Sequence, residues 1–142
     1  MSEKNKDICR RELELLNQRK LELFEQLYHP DFRQFGPGNP EGEDLNAYLE
    51  SWKRNFASFP DFHAEMVDMI AEGDKVAVVW RLQGTFTGDM GNIPANNKQI
   101  SWSGIYINRI MDGKIVESIT AFDILGPAVE MGGYQAVVPA AG

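Results

Sequence analysis

The stretch K-V-A-V-V-W-R-L-Q-G-T-F, residues 75–86, decides the fold of this chain. Its apolar residues recur at every second position, which is typical of a β-strand packed on a core. The other face carries Ala77 and Val79, so it is partly apolar as well. One face meets helices and the other needs its own cover, for which a second subunit is the simplest choice. The core-facing positions are Val76, Val78, Trp80, Leu82, Gly84 and Phe86.

The alternation of apolar residues at every second position continues on both sides of this stretch. Phe62 and Ala64 begin the alternation upstream. Downstream, a connection rich in Gly, Asn and Pro at 88–97 precedes another alternating segment, and Asp112-Gly113 is a strong hairpin signal. The sequence therefore predicts strands that begin at Asp61, run over 75–86, extend from Ile100 to Met111 and continue from Lys114 to Leu125.

The first part of the chain has helical spacing instead. Apolar residues recur every three or four positions over 3–28, with a predicted break at 17–20, and Pro30 ends this region. The segment 35–42 holds three Gly and two Pro, which predicts a loop. The next helix is the clearest and ends before Pro60. Its apolar face comprises Leu45, Tyr48, Leu49, Trp52 and Phe56.

Helices followed by consecutive strands joined by short turns predict an α+β fold, with an antiparallel sheet and helices on one face. A chain of 142 residues fits one domain with a sizeable core. We therefore expect one domain over 1–142. Within it, 1–58 is mainly helical, 59–126 forms the sheet and 127–142 is a small, apolar C-terminal tail.

Charge and composition exclude several classes of partner. The net charge is -7, so no basic face is available to neutralise nucleic-acid phosphates or anionic lipids. No stretch approaches the roughly 18 apolar residues of a membrane span, and the N-terminus lacks the apolar core of a signal peptide. Cys9 is the only cysteine, so nothing demands an oxidising compartment. We expect a soluble, cytoplasmic protein that binds neither nucleic acid nor membrane.

Most sequence patterns that carry catalytic chemistry are missing. The histidines, His29 and His63, are too far apart for a local metal motif, and no zinc, calcium or serine-hydrolase signature occurs. The Gly-rich segment has the wrong spacing for a phosphate loop and lacks its Lys. We therefore expect no metal and no cofactor.

Two single residues have alternative interpretations. His63 is a candidate base or simply a surface or packing residue. Arg81 either pairs with an acid at a subunit interface or orients a substrate.

Asp123 is the carboxylate that the sequence singles out, because it lies in the apolar run T-A-F-D-I-L. Burial would disfavour its charged form and raise its pKa. A carboxyl group tuned in this way can donate and accept a proton at neutral pH. The alternative is that Asp123 caps the strand end or accepts a hydrogen bond from neighbouring backbone.

The aromatic residues can wall a pocket as well as fill a core. The chain has three Trp, eight Phe and four Tyr. Trp80, Trp102 and Tyr106 form an aromatic pocket in one interpretation and part of the core in the other. The Tyr106 hydroxyl could also polarise a carbonyl group. A pocket of this kind would take a small apolar or aromatic organic molecule.

Several motifs within 59–126 resemble those of the SnoaL-like polyketide cyclase family, which lies within the nuclear transport factor 2-like superfamily. Their order and spacing match, and together they are fairly specific, although D-G-K-I-V-E alone is common across the superfamily. The motifs are F-P-D-F at 59–62, A-E-G-D-K-V-A-V-V-W at 71–80, G-T-F-T-G at 84–88, R-I-M-D-G-K-I-V-E-S-I at 109–119 and the Asp123 of A-F-D.

The resemblance implies a cone-shaped α+β barrel, with N-terminal helices in the hollow of a curved sheet, and usually a homodimer. It also implies cofactor-free closure of a polyketide ester ring by an intramolecular aldol reaction. In that chemistry a pocket Asp is the acid/base group, and Asp123 occupies its position. This chain has Phe86 where the family commonly has His, and Ile119 where it commonly has Trp. Both changes make the pocket more apolar and remove a polar partner from near Asp123.

The leading hypothesis is therefore a small-molecule enzyme of the cyclase type, in which Asp123 removes a proton next to a carbonyl and Tyr106 holds the enolate oxygen. A related isomerase or hydroxylase is close to it. A non-catalytic carrier of an apolar metabolite is the alternative, and a pure dimerisation module explains the apolar second face but not Asp123. The predicted pocket walls are Phe32, Trp52, Phe56, Trp80, Phe86, Trp102 and Ile119.

Overall fold

A computed structural model of the chain describes residues 2–133. Helices and strands are interspersed at its start, and a run of strands follows. The elements, in chain order, are α1 (Ser2–Asn17), α2 (Leu21–Glu25), β1 (Tyr28–Gly36), β2 (Asn39–Asp44), α3 (Leu45–Ser58), β3 (His63–Glu72), β4 (Lys75–Thr85), β5 (Gln99–Met111), β6 (Lys114–Phe122) and α4 (Leu125–Glu130).

The strands form one curved sheet in the order β2-β1-β6-β5-β4-β3. Neighbouring strands are antiparallel except for β1 and β6, which run parallel. Strands β2 and β3 are the two edges, so the sheet does not close into a complete barrel. The predicted α+β class, with helices against a curved and mainly antiparallel sheet, is confirmed.

The helices cover the concave face of the sheet. Helix α1 packs against β3 and β4, whereas α3 packs against β1 and β2. The main core between them is rich in aromatic side chains, and Phe24, Phe32, Phe59 and Phe86 are almost fully buried. Each such side chain contributes roughly 1.5–3 kcal/mol by leaving water. The helices are therefore held on the sheet mainly by apolar contacts.

Local sequence signals fix the ends of several elements. The Asp44 side chain accepts a hydrogen bond from the Ala47 amide at 2.9 Å, which caps the start of α3. Between β5 and β6, Asp112 and Gly113 have φ angles of 55° and 74°. A two-residue type I′ hairpin requires positive φ at both central positions, so this turn folds as its sequence predicts.

The predicted break in the N-terminal helix is confirmed, and its polar residues join the helical part to the sheet. The Asn17 side chain donates to the Ala64 carbonyl at 2.8 Å and accepts from the Ala64 amide at 2.7 Å. The Arg19 guanidinium donates to the Pro60 and Phe62 carbonyls at 2.8 and 2.6 Å. The side chains at the break are therefore hydrogen-bond partners for the backbone around the start of β3.

Two sequence expectations about element boundaries were wrong. The segment 35–42 was expected to be a loop, but it holds the end of β1, a turn and the start of β2. Strand β2 is an edge strand, where proline is tolerated, and Gly38 supplies the positive φ of the turn. The mainly helical segment 1–58 therefore also contains two strands. The last strand ends at Phe122, and α4 follows instead of further strand.

The predicted C-terminal tail falls only partly within the described residues. Its first residues, 127–130, belong to α4. The part after Gly133 lies outside the described range. Its loose attachment and the single-domain organisation of 1–142 both stay predictions.

The convex face of the sheet carries an apolar area that reaches four strands, which extends the pattern seen in β4, and Asp68 lies at its edge opposite Val79. Ile70 is 66% exposed and Ile119 is 50% exposed, large values for side chains of this type. We call this surface the convex patch, and its members are Ile70, Ala77, Val79, Ile105, Ile107, Ile119 and Ala121. A row of charged residues borders it, made of Glu72, Lys75, Arg109 and Glu117.

Candidate functional site

A cavity of about 470 Å³ lies between the concave face of the sheet and helices α1, α3 and α4. Its size is within the range of small-molecule sites. Aromatic and aliphatic side chains make up most of its wall. Polar side chains reach it from both helices and strands, and these are Glu12, Gln34, Glu43, Ser51, Asn55 and Thr120.

Glu12 of α1 is the most unusual group in this wall, because it is a carboxyl group that is only 5% exposed. The Tyr28 hydroxyl donates to its Oε2, and the Asn108 amide donates to its Oε1 at 3.2 Å. The Tyr106 hydroxyl faces the same carboxyl group, and the Tyr48 hydroxyl is near enough to feel its charge. We call Glu12, Tyr28, Tyr48, Tyr106 and Asn108 the Glu12 cluster.

Burial raises the pKa of Glu12, because the charged carboxylate is poorly solvated there. The hydrogen bonds from Tyr28 and Asn108 favour the charged form and oppose that rise. Burial and the nearby Glu12 carboxyl raise the pKa of the Tyr106 hydroxyl well above its usual value. Glu12 is therefore the group of the cluster whose pKa moves toward neutrality, whereas the tyrosines stay protonated and Tyr28 donates to it.

The sequence places Glu12 inside because α1 packs on the sheet through Cys9, Glu12 and Leu16, which lie three and four residues apart. Burial raises the pKa of the neighbouring Cys9 thiol to about 12, and the Glu12 charge adds to the rise. Cys9 accordingly stays a thiol, and Asn108 approaches its sulfur at 3.5 Å. Asn108 lies at an inward-facing position of β5 and reaches both side chains.

A glycine gives Trp80 its place in the cavity wall. A Cβ atom at Gly104 would lie 2.6 Å from Trp80 Cζ2 and 2.7 Å from Phe122 Cβ, so no larger residue fits there without movement. Trp80 is thus able to lie across β5 and to meet Phe122, with 6.0 Å between the ring centroids. Both rings line the cavity.

The cavity has a second polar region at β1, β2 and β6. Gln34 Nε2 donates to Thr120 Oγ1 at 3.4 Å. Burial raises the pKa of Glu43, while Arg54 opposes the rise and Asp44 adds to it. Among the lining residues within 2–133 there are carboxyl groups but no Lys, Arg or His. An anionic ligand would find no counter-charge in this wall.

A sequence profile of the SnoaL-like polyketide cyclase family matches residues 6–130, which is most of the chain. The chain belongs to the SnoaL-like polyketide cyclase family. The resemblance seen in the motifs of 59–126 is thereby confirmed, and the match extends into α1, the helix that carries Glu12.

Individual SnoaL-like and related proteins are similar over most of their length. Aklanonic acid methyl ester cyclase DnrD of Streptomyces peucetius is 28% identical over 132 residues, covering 89% of each chain. IdmH of Streptomyces antibioticus, a proposed polyketide cyclase, has a TM-score of 0.81 at 26% identity, covering 90% of this chain and 98% of its own. AclR of Streptomyces galilaeus, a proposed hydroxylase, has a TM-score of 0.88 at 21% identity, covering 98% and 91%. The likeness to AclR concerns the fold alone.

The structure brings together four of the residues that the sequence singled out for this SnoaL-like site. Trp52, Trp80, Trp102 and Tyr106 all line the cavity. Trp102 packs edge-on against Phe59, with 4.7 Å between ring centroids. These side chains come from α3, β4 and β5, so the site needs both the helices and the sheet.

Three predicted wall residues lie behind the wall rather than in it. Phe32 is 1% exposed and packs against Tyr28 in the core. Phe86 is fully buried and stacks on Phe59. Phe56 packs beneath the Arg19 guanidinium, 5.1 Å from its ring centroid. They support the cavity from behind, because the neighbouring rings take the inner positions.

Ile119 and Asp123 do not line the cavity. Ile119 lies on the side of β6 opposite to Thr120 and Phe122, which do line it, because side chains alternate along a strand. Asp123 comes directly after β6. Ile119 belongs to the convex patch. The expected burial of Asp123 is wrong, since it is exposed and its Oδ1 accepts a hydrogen bond from the Gly126 amide at 3.3 Å. Its catalytic role stays a prediction.

Glu12 is the functional candidate that the sequence interpretation missed. It lies four residues from Ile8 and from Leu16, on the apolar stripe of α1, where a charged residue is out of place. A charged residue on this stripe was the sequence signal that could have identified Glu12 as a buried carboxyl group. Its partners Tyr28 and Asn108 are 16 and 96 residues away, so only the fold brings them together.

Two further observations concern the described part of the chain. Among residues 2–133, no helix is long and apolar enough to cross a membrane. Within the same range, no three His, Cys, Asp or Glu side chains are grouped so that they could hold a metal ion. The prediction that the protein needs no cofactor stays a prediction.

Proposed function

We propose that this SnoaL-like protein is an enzyme that closes a ring in a small polyketide ester, with Glu12 as its acid/base group. The observation that carries the proposal is a buried carboxyl group, with a raised pKa, in the wall of an aromatic cavity. A general base works best when its pKa is near the working pH, and burial moves Glu12 in that direction.

The reaction needs only a proton that leaves and returns. The Glu12 carboxylate takes a proton from the carbon next to a carbonyl, and the electron pair of that C–H bond forms an enolate. Tyr106 donates a hydrogen bond to the enolate oxygen. The enolate carbon attacks a second carbonyl of the same molecule, and the new alkoxide receives the proton from Glu12. Product and substrate contain the same atoms, so the proposal requires no oxidant, reductant or cofactor.

The charge of the cavity wall favours a neutral ligand. Its ionisable groups within 2–133 include the carboxyl groups of Glu12 and Glu43 and no cationic side chain. Burying a carboxylate beside them without a counter-charge would be strongly unfavourable. We therefore infer that an ester binds better than the corresponding free acid.

Asp123 is the competing candidate for the acid/base group. It is exposed and outside the described cavity wall, and its side chain accepts from backbone at the start of α4. Glu12 has the position in the wall, the burial and the donors that a positioned base requires. These differences support Glu12 over Asp123.

The test uses a panel of aromatic polyketide methyl esters, with the cyclised isomer detected by chromatography and mass spectrometry. We expect Glu12→Gln to lower turnover roughly 100-fold or more, the usual scale for losing a positioned acid/base group. Asp123→Asn is the matched control, and its turnover should stay within a few-fold of the parent. The reverse ranking would assign the role to Asp123 instead.

The same panel separates an enzyme from a carrier. An ester that binds the intact protein but yields no cyclised product, even at protein concentrations equal to the ester, would overturn the catalytic part of the proposal. The cavity would then belong to a non-catalytic binding protein for an apolar metabolite.

We also propose that the protein is a homodimer that buries its convex patch. The patch presents an apolar surface on four adjacent strands, which is unfavourable in water. The bordering charged row contains both signs, so two copies can pair opposite charges around a shared axis. Two-fold dimers are the commonest closed assemblies, and their interfaces use the same patch on both subunits.

A further inference from the structure

The indole N–H of Trp52 is a buried donor that makes no hydrogen bond among residues 2–133, although Trp52 lines the cavity. The Tyr48 hydroxyl lies near this N–H, which opposes the rise that burial causes in the pKa of Tyr48, but the two groups form no hydrogen bond. Buried indole N–H groups usually find a partner, because leaving a buried donor unpaired is unfavourable. The Tyr106 hydroxyl in the same wall is also buried and lies near the Glu12 carboxyl group, but it makes no hydrogen bond in this part of the chain.

Neighbouring rings hold Trp52 in place beside the Glu12 cluster. Its ring centroid lies 6.1 Å from that of Tyr48, one helical turn earlier on α3. Phe62 packs edge-on against the other side, at 5.5 Å. Tyr48 in turn contacts Tyr28, which donates to Glu12. The Trp52 donor therefore lies in the same region of the cavity as the proposed acid/base group.

We propose that the Trp52 indole N–H donates a hydrogen bond to a carbonyl oxygen of the bound ligand. The inference rests on the proposed function, because it assigns a ligand class to the same cavity. It makes Trp52 a specificity-determining residue rather than only an apolar wall. With Tyr106 as a second donor, the carbonyl end of an aromatic ligand is directed to the Glu12 cluster, and its apolar part lies against Trp80 and Trp102.

The test compares two probes of nearly equal shape, 2-acetylnaphthalene and 2-ethylnaphthalene, by titration calorimetry on the full-length protein. Only the first has a carbonyl oxygen. We expect the parent to prefer the acetyl probe, and Trp52→Phe to lower its affinity about tenfold, the scale of one lost hydrogen bond. The affinity of Trp52→Phe for the ethyl probe should stay within about twofold of the parent.

Trp102→Phe is the matched control, because it also replaces an indole of the cavity wall. We expect it to change the affinity for both probes alike. If Trp52→Phe lowers both affinities equally, the hydrogen-bond inference is wrong while the aromatic cavity stands. If neither probe binds the parent, the ligand class of the proposed function fails, and the inference fails with it.

Discussion

The two faces of the sheet are built from the same strands but surround different chemistry. On β5, Tyr106 faces the cavity, whereas its neighbour Ile107 is 40% exposed on the convex patch. On β6, Thr120 lines the cavity and Ile119 faces outward. At these two places the polar side chain is inside and the apolar one outside, although the inner face as a whole is largely apolar, as is usual for a half-buried sheet.

These two departures from the usual pattern indicate that each face serves a separate contact. A cavity wall that must hold a ligand with oxygen atoms keeps donors and acceptors despite its burial. An outer face that meets a second subunit keeps apolar side chains despite its exposure in one chain. The two assignments are independent, so each face can be altered without touching the other.

The largest effect is expected on the convex face. Ile107→Glu places a charge in the proposed interface twice, once from each subunit, and burying an unpaired charge is strongly unfavourable. We expect the dimer dissociation constant to rise roughly 1,000-fold or more, so that light scattering gives the 16.0 kDa monomer mass.

Leu23→Glu provides the control for this change. Leu23 is also an exposed apolar residue, at 39%, but it lies on α2 away from the convex patch. We expect Leu23→Glu to leave the assembly intact. A parent protein that is already monomeric at micromolar concentration would contradict the dimer proposal.

On the concave face, Tyr106→Phe removes the hydroxyl while keeping the ring. Losing one donor to a developing oxyanion typically lowers kcat about 100-fold or more. We expect that loss with little change in KM, because the enolate charge exists only along the reaction. A KM effect with unchanged kcat would show that the hydroxyl binds substrate and does not stabilise the enolate.

Stability should depend on pH through Glu12. Its pKa is raised by burial, so the folded protein retains the proton at pH values where the unfolded chain has lost it. The resulting stabilisation is complete below the unfolded pKa and is lost as pH rises through the folded pKa. The loss amounts to about 1.4 kcal/mol for each pH unit that separates the folded pKa from the unfolded pKa.

Urea unfolding between about pH 4 and pH 8 measures this dependence. We expect the free energy of unfolding of the parent to fall with pH relative to that of Glu12→Gln, which has no carboxyl group to titrate. Asp61 has a lowered pKa because the Thr85 amide and hydroxyl donate to it, but it is present in both proteins and cancels. Parallel pH profiles would contradict a raised pKa for Glu12.

The smallest effect is expected at Asp123, in the connection between β6 and α4. Asp123→Ala removes the hydrogen bond to the Gly126 amide at the start of α4. Because this bond is exposed and α4 is short, we expect thermal unfolding to report a loss of less than about 1 kcal/mol. A much larger loss would mean that Asp123 has buried partners in the folded protein.

Most of the fold could be predicted from the sequence, because the signals for these helices, strands and turns come from residues that are close together in the chain. The alternation in β4, the Asp112-Gly113 hairpin and the apolar stripe of α3 each depend on neighbouring residues. The hairpin of β1 and β2 was missed because its glycines and prolines resemble a loop, although an edge strand tolerates them.

The site was harder to predict, because burial depends on distant residues. Asp123 and Ile119 have apolar neighbours in sequence, yet Ile119 lies on the outer face of β6 and Asp123, which follows that strand, is exposed. Conversely, Glu12 lies in a charged helix, yet Tyr28 and Asn108 enclose it. Hydrophobic pattern alone misleads near the end of β6, where Thr120 lies on the inner face and Ile119 on the outer one.

Proton exchange at the substrate tests the central role of Glu12 most directly, because it reports proton removal even when ring closure is slow. An aromatic polyketide ester is incubated in D₂O with the parent, Glu12→Gln or Asp123→Asn, and deuterium at the carbon next to the ketone is followed by NMR. We predict rapid incorporation with the parent and with Asp123→Asn, and a rate near the protein-free background with Glu12→Gln. Undiminished exchange in Glu12→Gln would contradict the assignment of Glu12 as the base.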